Sequence, residues 1–218
     1  MKKQKFSFDT IQDFDKHILQ SIPNYNVLIN MIQSMSGYFV VEDATIYDLG
    51  CSTGQLLKSL PYENAKVGVD LSEHLLPITD PIYEDITFQI EDLNNDYWDV
   101  DDACLVYSIF TMQFLKKSRR DNYLQTIYEG LVNGGALFLC EKIYQNNGAF
   151  QEVFSFSHYD YKKQSFKESE IYSKEKDLRS IMKPNTNNEI LQMLEKAGFS
   201  KVTTFWQSFN FIGYLAVK

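Results

Sequence analysis

Five short apolar runs, spaced by helix-length or turn-bearing segments, constrain this chain more than any other feature. They are TIYDLG (45–50), KVGVD (66–70), ITFQI (86–90), ACLVYSIF (103–110) and GALFLCEK (135–142). Runs this short and this apolar read as strands buried on both faces of a parallel sheet. Between the last two, residues 118–132 place Tyr123, Ile127 and Leu131 on one helical face, and Gly134-Gly135 ends the pattern. The connection from Gln55 to Tyr62 has room for about two helical turns. Strands that alternate with helices predict βαβ units. NNEILQMLEKAGF (187–199) is amphipathic and stops at Gly198, and VTTFWQSF and NFIGYLAVK then predict an antiparallel hairpin. The expectation is an α/β fold with a mostly parallel, seven-stranded sheet closed by a C-terminal hairpin.

Two helical regions flank this pattern. Phe14, Ile18 and Ile22, then Leu28, Met31, Ile32 and Met35, recur at helical spacing within residues 8–40, and Pro23 divides them. Residues 145–183 are polar and aromatic without a strand signal, and read as a helical insertion or lid. No repeat or linker interrupts the chain, so residues 1–218 are expected to form one domain. The 29 acidic against 21 basic side chains, a net charge of −8, would repel a phosphate backbone, so no direct nucleic-acid binding is expected. No apolar run approaches the roughly 20 residues of a spanning helix, and the start, MKKQKFSFDT, lacks a signal-like apolar core. Cys51, Cys104 and Cys140 form no disulfide framework, which fits reduced thiols and a cytoplasmic location. None of His17, His74 and His158 has a partner at ligand spacing, so no metal site is expected.

The chemistry concentrates after the first strand, in Tyr47-Asp48-Leu49-Gly50-Cys51-Ser52-Thr53-Gly54. Ligands of open parallel sheets lie beyond the carboxyl ends of the strands, where this loop falls. Gly50 and Gly54 let backbone approach a ligand closely. Asp70, at the end of the second strand, stands where a carboxylate meets ribose hydroxyls, and Asp92-Leu93 after the third strand meets an adenine edge. The spacing G-x-x-x-G is not the dinucleotide fingerprint G-x-G-x-x-G, and no Gly-Lys-Ser/Thr follows. S-adenosylmethionine (SAM) carries adenosine without phosphate, and Asp48, Asp70 and Asp92 suit its sulfonium. Each part also has a plainer reading: a tight turn at Gly50, a helix cap at Asp70, a turn residue at Asp92.

Methyl transfer from an activated sulfonium needs positioning more than covalent help, so no catalytic residue is named. Tyr107, Ser108 and Thr111, at or after the fourth strand, fall near an acceptor. His158 and Tyr161 sit in the insertion over the expected mouth, where they supply a base or a substrate contact or belong to a polar-aromatic surface packed on a helix. Lys162-Lys163 and Arg119-Arg120 read as solvated pairs.

These residues resemble the class I SAM-dependent methyltransferases, whose fold is Rossmann-like. Within that class the chain is similar to the carboxy-S-adenosylmethionine (carboxy-SAM) synthases of the CmoA type. The carriers are SIPNY (21–25), YDLGCSTG (47–54), FTMQFL (110–115), IYEGLVNGGALFLCEK (127–142) and the segments AGF and FWQSFNF between 197 and 211. The resemblance implies that Tyr25, Gly50, Cys51, Ser52, Asp70, Leu71, Asp92 and Leu93 line the nucleotide site. It also implies a homodimer, and a reaction in which prephenate supplies a carboxyl group to the SAM methyl carbon for a tRNA wobble-uridine modification pathway.

Two departures bear on that reaction. Ile109 stands where the family has asparagine, and Glu175 where it has the arginine that holds the carboxylate of carboxy-SAM. Two carboxylates about 4 Å apart repel by roughly 4 kcal/mol at an effective dielectric of 20. Arg179, one turn from Glu175, can return a cation to the pocket or pair with Glu175 on the surface. From sequence, methyl transfer to a small molecule therefore ranks first. Carboxy-SAM synthesis ranks second, and a non-catalytic SAM-binding or dimerisation module third.

Overall fold

The computed structural model describes residues 13–78 and 80–218. The expected helical region from residue 8 thus falls partly outside the described residues. Within them, α1 (Phe14–Ser21) and α2 (Tyr25–Ser36) flank Pro23. Then follow β1 (Thr45–Leu49), α3 (Gln55–Ser59), β2 (Lys66–Asp70), β3 (Ile86–Ile90), β4 (Ala103–Ile109), α4 (Arg120–Gly130) and β5 (Leu131–Tyr144). The insertion is two helices, α5 (Gly148–Lys162) and α6 (Glu168–Ile181). The chain ends with β6 (Asn185–Thr186), α7 (Asn187–Ala197), β7 (Lys201–Ser208) and β8 (Phe211–Val217).

The strand order is β3-β2-β1-β4-β5-β8-β7. β1 pairs in parallel with both β2 and β4, so the chain winds outward in two directions from β1 and leaves a crevice at that switch point. β8 runs antiparallel between β5 and β7. The expected seven strands become eight among the described residues because β6 pairs with Ile143 and Tyr144 at the end of β5. The architecture is a Rossmann-like α/β fold.

Both sheet faces are covered, which explains the continuous apolar runs. Val106, Leu137 and Leu139 pack with Ile127 of α4 and Ile190 of α7 on one face. Ile46, Leu105 and Phe138 pack with Leu28 and Ile32 of α2 on the other. Glu189 and Thr186 form a capping box at the start of α7, and Gly198 ends that helix at φ 115°. α4 stops at Gly130, earlier than its periodicity predicts. A side chain there would lie 2.0 Å from the Val100 carbonyl oxygen, so close backbone approach requires glycine.

The two basic pairs are a correction. Arg120 is completely buried and Lys162 is 4% exposed, whereas Arg119 and Lys163 reach solvent. Adjacent helical residues point in different directions, so only one member of each pair can face water here. Among the described residues no helix is long and apolar enough to cross a membrane, and no group of His, Cys, Asp and Glu is arranged to hold a metal.

Candidate active site at the strand tips

The loop after β1 is fixed by backbone hydrogen bonds. The amides of Gly50 and Cys51 both donate to the Val69 carbonyl, at 2.7 and 3.0 Å, and the Gly54 amide donates to the Cys51 carbonyl at 2.9 Å. Asp70 ties this loop to the next: its carboxylate accepts from the Ser52 and Ser72 amides, each at 2.9 Å. Asp70 braces the loop and lines the pocket as well. Asp92 accepts from the Asn94 amide at 2.9 Å, the geometry of an Asx turn. Asp92 is thus the turn residue of its plainer reading, whereas among the described residues no helix directly follows Asp70 for it to cap; its bonds brace the loops, and both residues also line the pocket.

Above the loop lies a pocket of about 490 Å³, a size that suits a nucleoside-like ligand. Gly50, Ser52, Asp70, Leu71, Asp92 and Leu93 line it at one end, and Thr111, His158 and Glu175 line it elsewhere. Ser52 Oγ is buried without a hydrogen-bond partner, which is costly unless a ligand satisfies it. An orphaned hydroxyl beside a glycine loop fits the adenosyl and amino-acid groups of SAM.

Eight candidates lie outside the pocket lining. Tyr107 is fully buried against α2, its hydroxyl 2.7 Å from Ser36 Oγ, and Ser108 on the opposite face accepts from Tyr123 at 2.8 Å. Period-two alternation sends both into the covered faces of β4 rather than to its tip. Tyr25 packs against Phe110, which does line the pocket. Cys51 is buried beneath the loop, and Gly54 caps α3 in the left-handed region. Burial, then the charge of Asp70, pushes the Asp48 carboxyl up to about 8, so it presents little negative charge at neutral pH. Tyr161 donates to the Leu19 carbonyl at 3.1 Å. Arg179 is exposed, and Glu175 turns away from it.

Glu175 Oε1 lies 3.2 Å from Lys162 Nζ and 3.7 Å from Lys142 Nζ. Lys174 and His17 complete this end of the pocket, Lys174 Nζ touching His17 Nε2. Burial alone would raise the Glu175 carboxyl, but Lys142 and Lys162 outweigh it and hold it below its ordinary value. Burial, with repulsion from Lys162, lowers Lys174 to about 8. The pocket thus has an acidic end at the strand tips and a cationic end under the insertion. Sequence reasoning missed Lys142 and read Lys162 as solvated, and saw Lys174 only as a neighbour of Glu175, because residues 142, 162 and 174 have no meaningful spacing until α5 and α6 fold over β5.

The loop after β4 is clamped from beneath. Arg120 donates to the Leu115 carbonyl through Nε and Nη2 (3.2 and 2.9 Å), to the Gln113 carbonyl at 3.0 Å, and to Asn185. Glu141, 1% exposed, accepts from the Met112 and Gln113 amides. Gln113 Oε1 in turn accepts from the Lys142 amide at 2.7 Å.

α1 lies over the pocket, contributing Phe14, His17 and Ile18. It is held largely by polar ties: Thr53 donates to Asp15 at 2.6 Å, and His158 Nε2 bonds the Ser21 carbonyl at 2.8 Å. A carbonyl only accepts, so Nε2 carries the proton. Burial, then Lys162, lowers His158 to about 3, and burial with Lys174 and Lys162 lowers His17 to about 4. Their unfolded values are near 6.5, so below that pH the unfolded chain binds more protons and stability falls until the folded values are reached. His158 should contribute up to about 1.4 kcal/mol of this loss per pH unit between about 6 and 4. His158→Gln, which keeps a donor for Ser21, should unfold with a shallower pH slope in urea titrations. Equal slopes would remove His158 from the account.

Residues 46–135 match the methyltransferase domain family. The chain superposes on human N-acetylserotonin methyltransferase in complex with SAM with a TM-score of 0.62 at 17% identity, covering 94% of this chain and 55% of that one. It superposes on a SAM-dependent methyltransferase of Thermotoga maritima with a TM-score of 0.58 at 16% identity, covering 94% and 93%. Fold, glycine loop and pocket define a SAM-using enzyme built on the class I methyltransferase fold. Carboxy-S-adenosyl-L-methionine synthase of Staphylococcus epidermidis is 32% identical over 97% of this chain and 95% of its own length. That of Methylococcus capsulatus is 35% identical, over 94% and 89%. The chain belongs to the carboxy-S-adenosyl-L-methionine synthase family.

Proposed function

We propose that this protein makes carboxy-SAM: it binds SAM across the tips of β1, β2 and β3, prephenate loses CO2 and hydroxide to leave phenylpyruvate, the hydroxide takes a proton from the SAM methyl group to form water, and the methyl carbon bonds to the CO2. The observation that carries this reading is the cationic end of the pocket, where Lys142, Lys162 and Lys174 share one cavity with Gly50, Asp70 and Asp92. Glu175 ranks the synthase second from sequence because a lone carboxylate would repel the new carboxyl group. Three lysines from β5, α5 and α6 outnumber it, so the surroundings favour an anion without the family arginine. The names of the relatives support the same order.

Within this reading Asp70 meets the ribose, Asp92 and Leu93 meet the adenine, and the backbone at Gly50 and Ser52 meets the amino-acid portion. The homodimer implied by the resemblance belongs to the proposal too, and light scattering at micromolar concentration tests it. The decisive assay supplies purified protein with SAM and prephenate and weighs the nucleoside products. The expected product is heavier than SAM by one CO2. S-adenosylhomocysteine with a methylated acceptor would instead favour methyl transfer, the reading Ile109 supports by placing an apolar side chain in the pocket. SAM binding without turnover of either kind would leave the non-catalytic module.

A further inference from the structure

Glu175 is a resident anion inside a site that has a surplus of cations. Its side chain is 13% exposed, and those of Lys162 and Lys142 are 5% and 16% exposed, so little water screens the group. The ammonium groups come from three separate elements and would repel one another if left alone. Glu175 bridges two of them through one oxygen, while Lys174 turns to the neutral imidazole of His17. The cluster keeps more positive than negative charge, enough to attract an anion. Any such anion must compete with Glu175 for Lys162 and Lys142.

That competition is unequal. Glu175 is tethered on α6, so it faces the lysines at an effective concentration that a free ion at millimolar levels does not match. A ligand anchored at the glycine loop presents its own carboxylate with a similar advantage. We propose that Glu175 is a placeholder anion: it keeps free inorganic oxyanions off the lysine cluster and yields to a carboxylate delivered on a ligand already held at the strand tips. The identity of that ligand rests on the carboxy-SAM reading above; the exclusion of free anions does not.

Inorganic phosphate is the probe. Its affinity is measured by calorimetry on the full-length protein, on Glu175→Gln, on Glu175→Asp and on a Glu175→Gln/Lys162→Met double variant. Glu175→Gln should bind phosphate about 10- to 100-fold more tightly than the parent, the scale set by losing a tethered competitor. Glu175→Asp, with the carboxylate withdrawn by one methylene, should fall between them. The double variant should lose the gain. Phosphate affinity that is equal in parent and Glu175→Gln, or a gain that survives loss of Lys162, overturns the proposal. Should Glu175→Gln fail to fold, Glu175→Asp decides alone: tighter phosphate binding than the parent supports the placeholder, and unchanged binding overturns it. SAM affinity is measured on every variant to follow the glycine-loop end. Failure to form carboxy-SAM would refute the proposed reaction and leave the phosphate result standing on its own.

Discussion

Gly50→Ala is expected to reduce SAM affinity by at least about 100-fold and to cost about 2–4 kcal/mol of stability. Two effects add. Gly50 has φ 85°, a left-handed conformation that costs an alanine roughly 1–2 kcal/mol. A Cβ there would also lie 2.1 Å from Thr111 Oγ1 and 2.7 Å from Thr111 Cγ2, inside van der Waals contact. Thr111 cannot simply step aside. It begins the loop that Arg120 holds by its carbonyls and Glu141 by its amides. The clash is therefore transmitted to both rims of the pocket, Gly50 on one and Thr111 on the other. Calorimetry with SAM and urea unfolding check the two parts separately. A Gly50→Ala/Thr111→Ala double variant should recover part of the stability by removing the hydroxyl and methyl contacts, while the backbone strain remains. SAM affinity within threefold of the parent in the single variant would show that this backbone is not the cradle.

Arg120→Met is expected to lower stability by about 3–5 kcal/mol, the cost of leaving buried partners uncompensated. Domains of this size have roughly 5–15 kcal/mol to lose, so the variant should lose between about a fifth and all of its stability. Methionine matches the apolar stem but abandons the Gln113 and Leu115 carbonyls and the Asn185 side chain. It also removes the charge that offsets burial at Glu141, whose carboxyl is already pushed well above its ordinary value. A single variant within 1 kcal/mol of the parent in urea unfolding would mean that solvent replaces the guanidinium and that the loop does not depend on it.

The strands were legible because a parallel sheet covered on both faces leaves a local signature: β1, β2 and β3 coincide with their apolar runs to within a residue. α7 was legible for the same local reason, its cap residues and apolar stripe being adjacent in sequence. Gly50, Asp70, Asp92 and Leu93 were legible as a group because topology carries successive strand tips to one edge, whereas Ser52 came with the family resemblance. That inference failed for Tyr107 and Ser108, which belong to the strand body and follow its alternation into the core. Arg120 and Lys162 were misread because nothing in a basic pair says which member a packed helix turns inward.

Sequence by itself determined the order of the five apolar strands, the glycine loop and the acids at the next strand tips, since each depends on residues near one another along the chain. It also determined that a carboxylate stands at position 175. Only the tertiary structure decided what that carboxylate means. Electrostatic energy depends on distance in space, and Lys142, Lys162 and Lys174 come within reach of Glu175 only after the two insertion helices close over β5.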